Sequence, residues 1–251
     1  MIKAILTGHT RGLGAALAQE LQARGIPLLA LARRHATGTS EQPKRIRQIE
    51  LDLSDSAALD AWLKGDELRT FATPGDTLLL INNAGTLGPV GPLDTQDGAA
   101  IAHSVSLNIT APLMLSSGLA RQHKGALKIV HISSGAARNA YPGWSIYGAT
   151  KAALDHHARA VQLDGRPNLK ICSLAPGVID TDMQAEIRAT PVECFPLQAR
   201  FVQLKQEDQL SSPGQVAKQL LNYLLSEQFC NEAVADLRQL DIADIEPRPA
   251  G

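Results

Sequence analysis

Cysteine is scarce: three residues, Cys172, Cys194 and Cys230, in a chain of 251. An odd, widely spaced set without a CxxC pair excludes a disulfide-stapled framework and points to free thiols in a reducing, cytoplasmic setting. An excess of either charge is missing too. Lys and Arg number 24 against 25 for Asp and Glu, a net charge of -1, which speaks against nucleic acid or an anionic membrane as the partner. Long apolar runs are absent. The strongest, 28–32 and 77–81, fall far short of the roughly 20 residues a membrane-spanning helix needs. Gly8, His9, Thr10 and Arg11 interrupt the N-terminus before a signal peptide could form. Metal-ligand spacing is lacking as well. No HxxxH occurs, and the adjacent His156 and His157 point about 100° apart on a helix, so they do not share an ion. His9, His103, His123 and His131 read as packing or surface residues, and no metal is expected.

What is present is an ordinary globular composition, 44% apolar and 20% charged, long enough to bury a substantial core. Apolar runs alternate regularly with helical patterns. Residues 2–6 read as a buried strand, followed by Leu13, Ala16, Leu17 and Leu21 at helical spacing up to a C-capping Gly25. Further strands are predicted at 27–32, 46–51, 76–81, 127–132, 169–174 and 234–237. Helices are predicted at 57–71, 98–123 (kinked or bounded at Pro112), 146–164, and from the Ser212-Pro213 capping pair to 226. Strands apolar on both faces and separated by helices imply an α/β fold: a doubly wound parallel sheet in three αβα layers, one domain over 1–251. Residues 181–211, broken by Pro191 and Pro196, read as an irregular, mobile substrate flap among the ligand-binding loops.

Thr7-Gly8-His9-Thr10-Arg11-Gly12-Leu13-Gly14 joins the first strand to the first helix. Glycines there allow a tight turn and let a pyrophosphate approach the backbone at a helix N-terminus. The spacing is GxxxGxG rather than the commoner GxGxxG, and a plain tight connection is the bland alternative. An NAD-binding fold places Asp or Glu about 20 residues on, to hold the ribose hydroxyls. Arg33, Arg34 and His35 stand there instead, and no acidic residue occurs between Glu20 and Glu41. With Arg11 in the glycine loop, these cations suit a 2'-phosphate, so NADP(H) is the expected cofactor.

Tyr147 and Lys151 lie four residues apart on a predicted helix and so share a face. A tyrosine of pKa about 10 serves as an acid–base catalyst near neutrality only if a neighbouring cation stabilises its phenolate. Lys151 is placed to do so. Asn82-Asn83-Ala84-Gly85 follows the fourth strand, Asp52-Leu53 the third, and Ser133-Ser134 the fifth; Pro176-Gly177-Val178-Ile179-Asp180-Thr181 follows the sixth. With Thr7 to Gly14, Asn108 and Tyr147-Gly148-Ala149-Thr150-Lys151, this set resembles the short-chain dehydrogenase/reductase family along essentially the whole chain. The resemblance implies a Rossmann-like fold and names Ser134, Tyr147, Lys151 and Asn108 as catalytic residues. Ser134 would hydrogen-bond the reacting carbonyl, Lys151 would also hold the nicotinamide ribose, and Asn108 would kink the long helix and keep a relay water. It assigns cofactor contacts to Gly8, Thr10, Arg11, Gly12, Leu13, Gly14, Arg33, Arg34, Asp52, Leu53, Asn83, Ala84, Gly85, Tyr147 and Lys151. Pro176, Gly177, Ile179, Thr181 and Met183 complete that set.

Pro142-Gly143-Trp144, just before Tyr147, is similar to the sepiapterin reductase and benzil reductase branch, whose members reduce diketones and pterin side-chain ketones with NADPH. Ser134, Trp144 and Met183 are the expected substrate contacts. The implied activity is reduction of a ketone or aldehyde, with hydride from NADPH and a proton from Tyr147. The alternatives are a 3-oxoacyl-thioester reductase of the same family and a non-catalytic NADP(H)-sensing module. Asp236 is followed by Leu237-Arg238-Gln239 and an acidic tail ending Pro247-Arg248-Pro249. Many tetrameric members carry a glycine-rich strand at this point, so a homodimer is expected rather than a tetramer.

Overall fold

The computed structural model describes residues 1–36 and 46–240, and the acidic tail lies outside them. Seven strands among the described residues form one parallel sheet: β1 Ile2–Thr7, β2 Leu28–Ala32, β3 Ile46–Glu50, β4 Thr77–Asn82, β5 Leu127–Ile132, β6 Leu169–Ala175 and β7 Val234–Asp236. Most are short apolar runs, and the edge strand β3, Ile-Arg-Gln-Ile-Glu, is the polar exception. Their order is β3-β2-β1-β4-β5-β6-β7. The order reverses between β1 and β4, and loops at the carboxyl ends diverge at such a point to leave a crevice. Strand residues alternate between two cores. Ala4, Leu6, Leu79 and Ile81 pack with Leu13, Leu17 and Leu21 of α1 (Gly12–Ala23) and Val216, Leu220 and Leu224 of α9 (Pro213–Leu225). Ile5, Leu78 and Leu80 pack on the other face with α2 (Ser56–Lys64), α5 (Ala111–Gln122) and α6 (Ser145–Leu163) through Leu59, Leu115, Leu119 and Ala158. This is the three-layer αβα arrangement.

Local signals place the helix ends. Asp55 accepts hydrogen bonds from the backbone of Ala57 and Ala58 at the start of α2, and Ser212 accepts from Gln215 N ahead of Pro213. Gly25 takes φ +68 after α1, as a C-cap glycine does.

Three expectations need correction. The helix predicted over 57–71 is two helices, α2 and α3 (Glu67–Phe71), because Gly65 leaves the helical region at the end of α2. The helix predicted over 98–123 is α4 (Gly98–Val105), a π-turn over Ser106–Thr110 and then α5. Pro112 opens α5, where a missing N–H is harmless. Taken together, Gly98–Gln122 is one helical stretch of 25 residues whose most apolar 18-residue window has mean hydropathy 1.3, long and apolar enough to cross a membrane by length and composition. In this fold Asn108, Ala111, Leu115 and Leu119 of that stretch are buried against the rest of the protein. The stretch 181–211 is not irregular: it holds α7 (Asp182–Ala189) and α8 (Gln198–Gln206), with Pro191 and Pro196 in the connection between them.

His131, on β5, is fully buried. The Asn82 amide nitrogen donates to His131 Nδ1 at 3.0 Å, so the ring carries its proton on Nε2 and donates to His157 Nδ1, also at 3.0 Å. The column ties β4 to β5 and β5 to α6. Burial, followed by the neighbouring His157 and Lys151, pushes the His131 pKa down from 6.5 to about 3. Between those values the unfolded chain binds the proton and the folded protein does not, so stability falls as pH falls through that window. The slope from this one group approaches about 1.4 kcal/mol per pH unit. Urea unfolding at pH 7 and pH 4.5 should show the loss, and His131→Leu should lower stability at pH 7 while flattening its decline.

Candidate active site

The β1–α1 connection is built for close approach. Gly8 has φ +71, a conformation that favours glycine, and a Cβ on Gly14 would sit 1.9 Å from Gly8 O. The loop is fastened to the end of β4: Thr7 Oγ1 accepts from Asn83 N at 2.9 Å and Ala84 N at 3.0 Å. Asn83 Nδ2 returns hydrogen bonds to Thr7 O at 3.0 Å and Gly8 O at 3.1 Å. Arg11 precedes α1 without capping it through its side chain, and the first turn carries no acidic residue. The positive N-terminus of a twelve-residue helix therefore opens onto the crevice.

That crevice is a cavity of about 730 Å³. Gly8, Thr10, Arg11, Gly12, Leu13, Gly14, Arg33, Arg34, Leu53, Asn83, Ala84 and Gly85 line it, and so do Ser134, Trp144, Tyr147, Lys151, Pro176, Gly177, Ile179, Thr181 and Met183. Two anticipated residues do not. Asp52 is exposed outside the cavity, its carboxylate taking hydrogen bonds from Ser54 N and Oγ. Those bonds, with the charge of Arg33, lower its pKa against burial. Asn108 is fully buried behind the lining. Its Oδ1 accepts from Thr86 N at 2.9 Å, and its Nδ2 donates to Thr86 O at 2.9 Å and Thr150 Oγ1 at 3.1 Å. The side chain thus fastens the π-turn to α6 and to the chain beyond β4. A Cβ on Gly85 would lie 3.2 Å from Asn108 Oδ1 and 3.5 Å from Lys151 Nζ, so glycine is what lets these groups approach.

Tyr147 and Lys151 share one face of α6, 7% and 5% exposed, with Lys151 Nζ 5.8 Å from the centre of the Tyr147 ring. Lys151 donates to Ile132 O at 2.8 Å. Burial pulls its pKa down to about 8, with Asp155 opposing. The phenol of Tyr147 is shifted the other way from the sequence expectation. Burial raises its pKa and outweighs the lowering by Ser134, so the ring holds its proton at neutral pH. Asp155, one turn beyond Lys151, is buried and accepts 2.7 Å hydrogen bonds from Ser133 Oγ and Ser173 Oγ. It also pairs with Arg138 at 3.2 Å. This anchors Ser133 and leaves Ser134 on the cavity wall, its Oγ accepting from Ala136 N.

Trp144 lines the cavity and is packed as well, stacked on Phe195 at 4.6 Å and tilted against Tyr141 and Phe201. Sequence reasoning missed the rest of this wall: Leu87, Tyr141, Ile187, Arg200, Phe201 and Leu204. The one available signal was the pairing of Phe195 and Phe201 in a chain with so few aromatics.

The profile of the short-chain dehydrogenase family matches residues 3–192. The chain belongs to the short-chain dehydrogenases. They are oxidoreductases that use nicotinamide cofactors, and this short-chain dehydrogenase has the same seven-stranded fold. It is 34% identical to the benzil reductase ((S)-benzoin forming) of Bacillus cereus over 90% of this chain and 94% of that one. It is 36% identical to the sepiapterin reductase of Meriones unguiculatus over 92% and 94% respectively. Among solved structures, a short-chain dehydrogenase/reductase from Burkholderia vietnamiensis is 44% identical over 95% of this chain and 99% of that one, with a TM-score of 0.67.

The Thr7 joint is open to test. Thr7→Val keeps the shape but leaves two backbone N–H groups without their acceptor, at a cost of about 1–3 kcal/mol. Urea unfolding should show that loss.

Proposed function

We propose that this protein reduces a bulky, largely apolar ketone or aldehyde to the alcohol, using NADPH. The observation that carries the reading is one cavity that holds Ser134, Tyr147 and Lys151 on one side and unpaired arginines on the other. Arg33 and Arg34 are exposed there and make no hydrogen bond or ion pair among the described residues. With no acidic residue directly after β2 among the described residues, where ribose hydroxyls would be received, they suit a 2'-phosphate. The cradle fits a dinucleotide by its backbone: without a Cβ on Gly8 or Gly14 the loop packs tightly against itself and against Asn83 and Ala84, which leaves backbone and the N-terminus of α1 lining the cavity.

When bound, the nicotinamide supplies the hydride that reaches the carbonyl carbon. The protein's part is to place and protonate the oxygen. The Ser134 hydroxyl orients it, and the Tyr147 phenol donates its proton to the developing alkoxide. Lys151 stabilises the phenolate left behind and holds the nicotinamide ribose. Asn108 maintains the π-turn behind the lysine, where a relay water would sit. Pro176, Gly177, Ile179, Thr181 and Met183 face the nicotinamide, and Trp144 and Met183 face the substrate. The aromatic wall, together with the benzil reductase relative, supports an aryl ketone as substrate. Three free thiols support a reducing, cytoplasmic setting. The short β7, ending in Asp236 paired with Arg238 at 2.6 Å, supports a homodimer over a tetramer.

A panel of carbonyl compounds assayed by NADPH oxidation, with NADH as control, tests the activity; a panel with no turnover overturns it. Tyr147→Phe should keep NADPH binding and lower turnover by about 10²–10⁴-fold, read from steady-state kinetics on a substrate the parent accepts. Arg33→Ala should weaken NADPH by about tenfold or more while leaving NADH nearly unchanged, since a charge-assisted phosphate contact contributes about 1.5–3 kcal/mol. Equal affinity of the parent for both cofactors would overturn that assignment.

A further inference from the structure

The glycine loop carries a residue that nothing above uses. His9 is 4% exposed, points away from the cavity, and meets Gln48 on β3, 39 residues on in the chain. Gln48 Oε1 receives two hydrogen bonds, from Ala36 N at 2.8 Å and from His9 Nε2 at 2.7 Å. The orientation follows from chemistry alone. A backbone N–H only donates, so the atom facing Ala36 is the amide oxygen; that oxygen only accepts, so His9 presents Nε2–H to it. His9 Nδ1 has no partner among the described residues. Among the described residues the imidazole therefore makes one hydrogen bond, and that bond is to Gln48.

Ala36 lies two residues beyond Arg34 in the connection that follows β2. The chain just before Arg33 is fixed as well: Ala32 is registered against Glu50 in the β2–β3 ladder, and Leu51 N donates to Ala32 O at 2.8 Å. Arg33 and Arg34 thus lie between two ties, at Ala32 and at Ala36, and neither makes an ion pair among the described residues. One of the ties runs through Gln48 to the loop that cradles the dinucleotide. Ordering side chains on a tethered segment sacrifices less conformational freedom on binding than ordering them on a loose one.

We propose that His9 and Gln48 are positioning residues for cofactor choice: the His9–Gln48–Ala36 clamp holds Arg33 and Arg34 where a 2'-phosphate is received, without touching the cofactor. This rests on the NADPH reading above. The clamp couples the pyrophosphate loop to the phosphate-selecting turn, so its loss falls on the cofactor that carries the extra phosphate and spares the one that lacks it.

Equilibrium binding of NADPH and of NADH to the parent, His9→Ala, His9→Gln and Gln48→Leu tests it. His9→Ala and Gln48→Leu should each weaken NADPH by about tenfold, the worth of one positioning hydrogen bond, and change NADH by less than about twofold. His9→Gln can present an amide N–H near the place of Nε2 and should restore most of the preference. Proportionate loss of both cofactors in a parent that prefers NADPH means a merely structural contact and overturns the clamp while leaving the NADPH reading intact. Unchanged binding of both does the same. A parent without preference overturns the NADPH reading first, and the clamp with it. Two variants on opposite sides of one hydrogen bond keep the test open should either fail to fold.

Discussion

The Thr7 hydroxyl accepts backbone N–H groups from Asn83 and Ala84 at 2.9 and 3.0 Å, and Asn83 binds back to the carbonyls of Thr7 and Gly8. This joint closes the carboxyl ends of β1 and β4 on each other at the point where the strand order reverses. Parallel strands leave that edge with unpaired backbone groups, and side chains must satisfy them if loops are to diverge there. With the joint in place the glycine loop turns tightly, α1 points its N-terminus into the opening, and the cavity has a rigid floor.

Desolvation governs the chemistry of the opposite wall. Tyr147 and Lys151 are both nearly buried, and burial opposes charge on each: the phenol is pushed up and the ammonium down to about 8. Both shifts favour the neutral form, and they set the lysine below the phenol on the pH scale, so the buried ammonium is the readier of the two to release a proton. Asp155 opposes the shift of the lysine from one turn away while holding Ser133 and Ser173. A single buried carboxylate thus ties together the end of β5, β6 and α6, beside Ser134, Tyr147 and Lys151.

The substrate side is built differently, from packing instead of hydrogen bonds. Trp144, Phe195 and Phe201 are brought together from α6's leading edge, the connection after α7, and α8. These stacked and tilted rings form an apolar wall on that side of the cavity. Thr181, just before α7, sits 3.3 Å from where a Cβ on Gly12 would lie, so this wall and the glycine loop meet across the cavity.

Much of this was legible in the residues. Short continuous runs of branched and leucine side chains determined most strands, and apolar residues at helical spacing with capping residues determined most helices, because local patterning and backbone chemistry are short-range properties. The same holds for Tyr147 and Lys151, whose spacing of one helical turn sets their common face. The π-turn around Asn108 needed tertiary structure, since Thr86 and Thr150 must be at hand to take the side chain's hydrogen bonds. So did the helices α7 and α8: their prolines look disruptive in sequence, yet both fall between helices that are stabilised by docking Ile187 and Phe201 on the aromatic cluster. Tertiary structure also decided the direction of the Tyr147 shift, because the spacing of two residues gives their proximity, whereas desolvation depends on everything folded around them. His9, Gln48 and Ala36 make the same point at the cofactor end: three residues with no local relation share one amide oxygen only once β2 and β3 lie side by side.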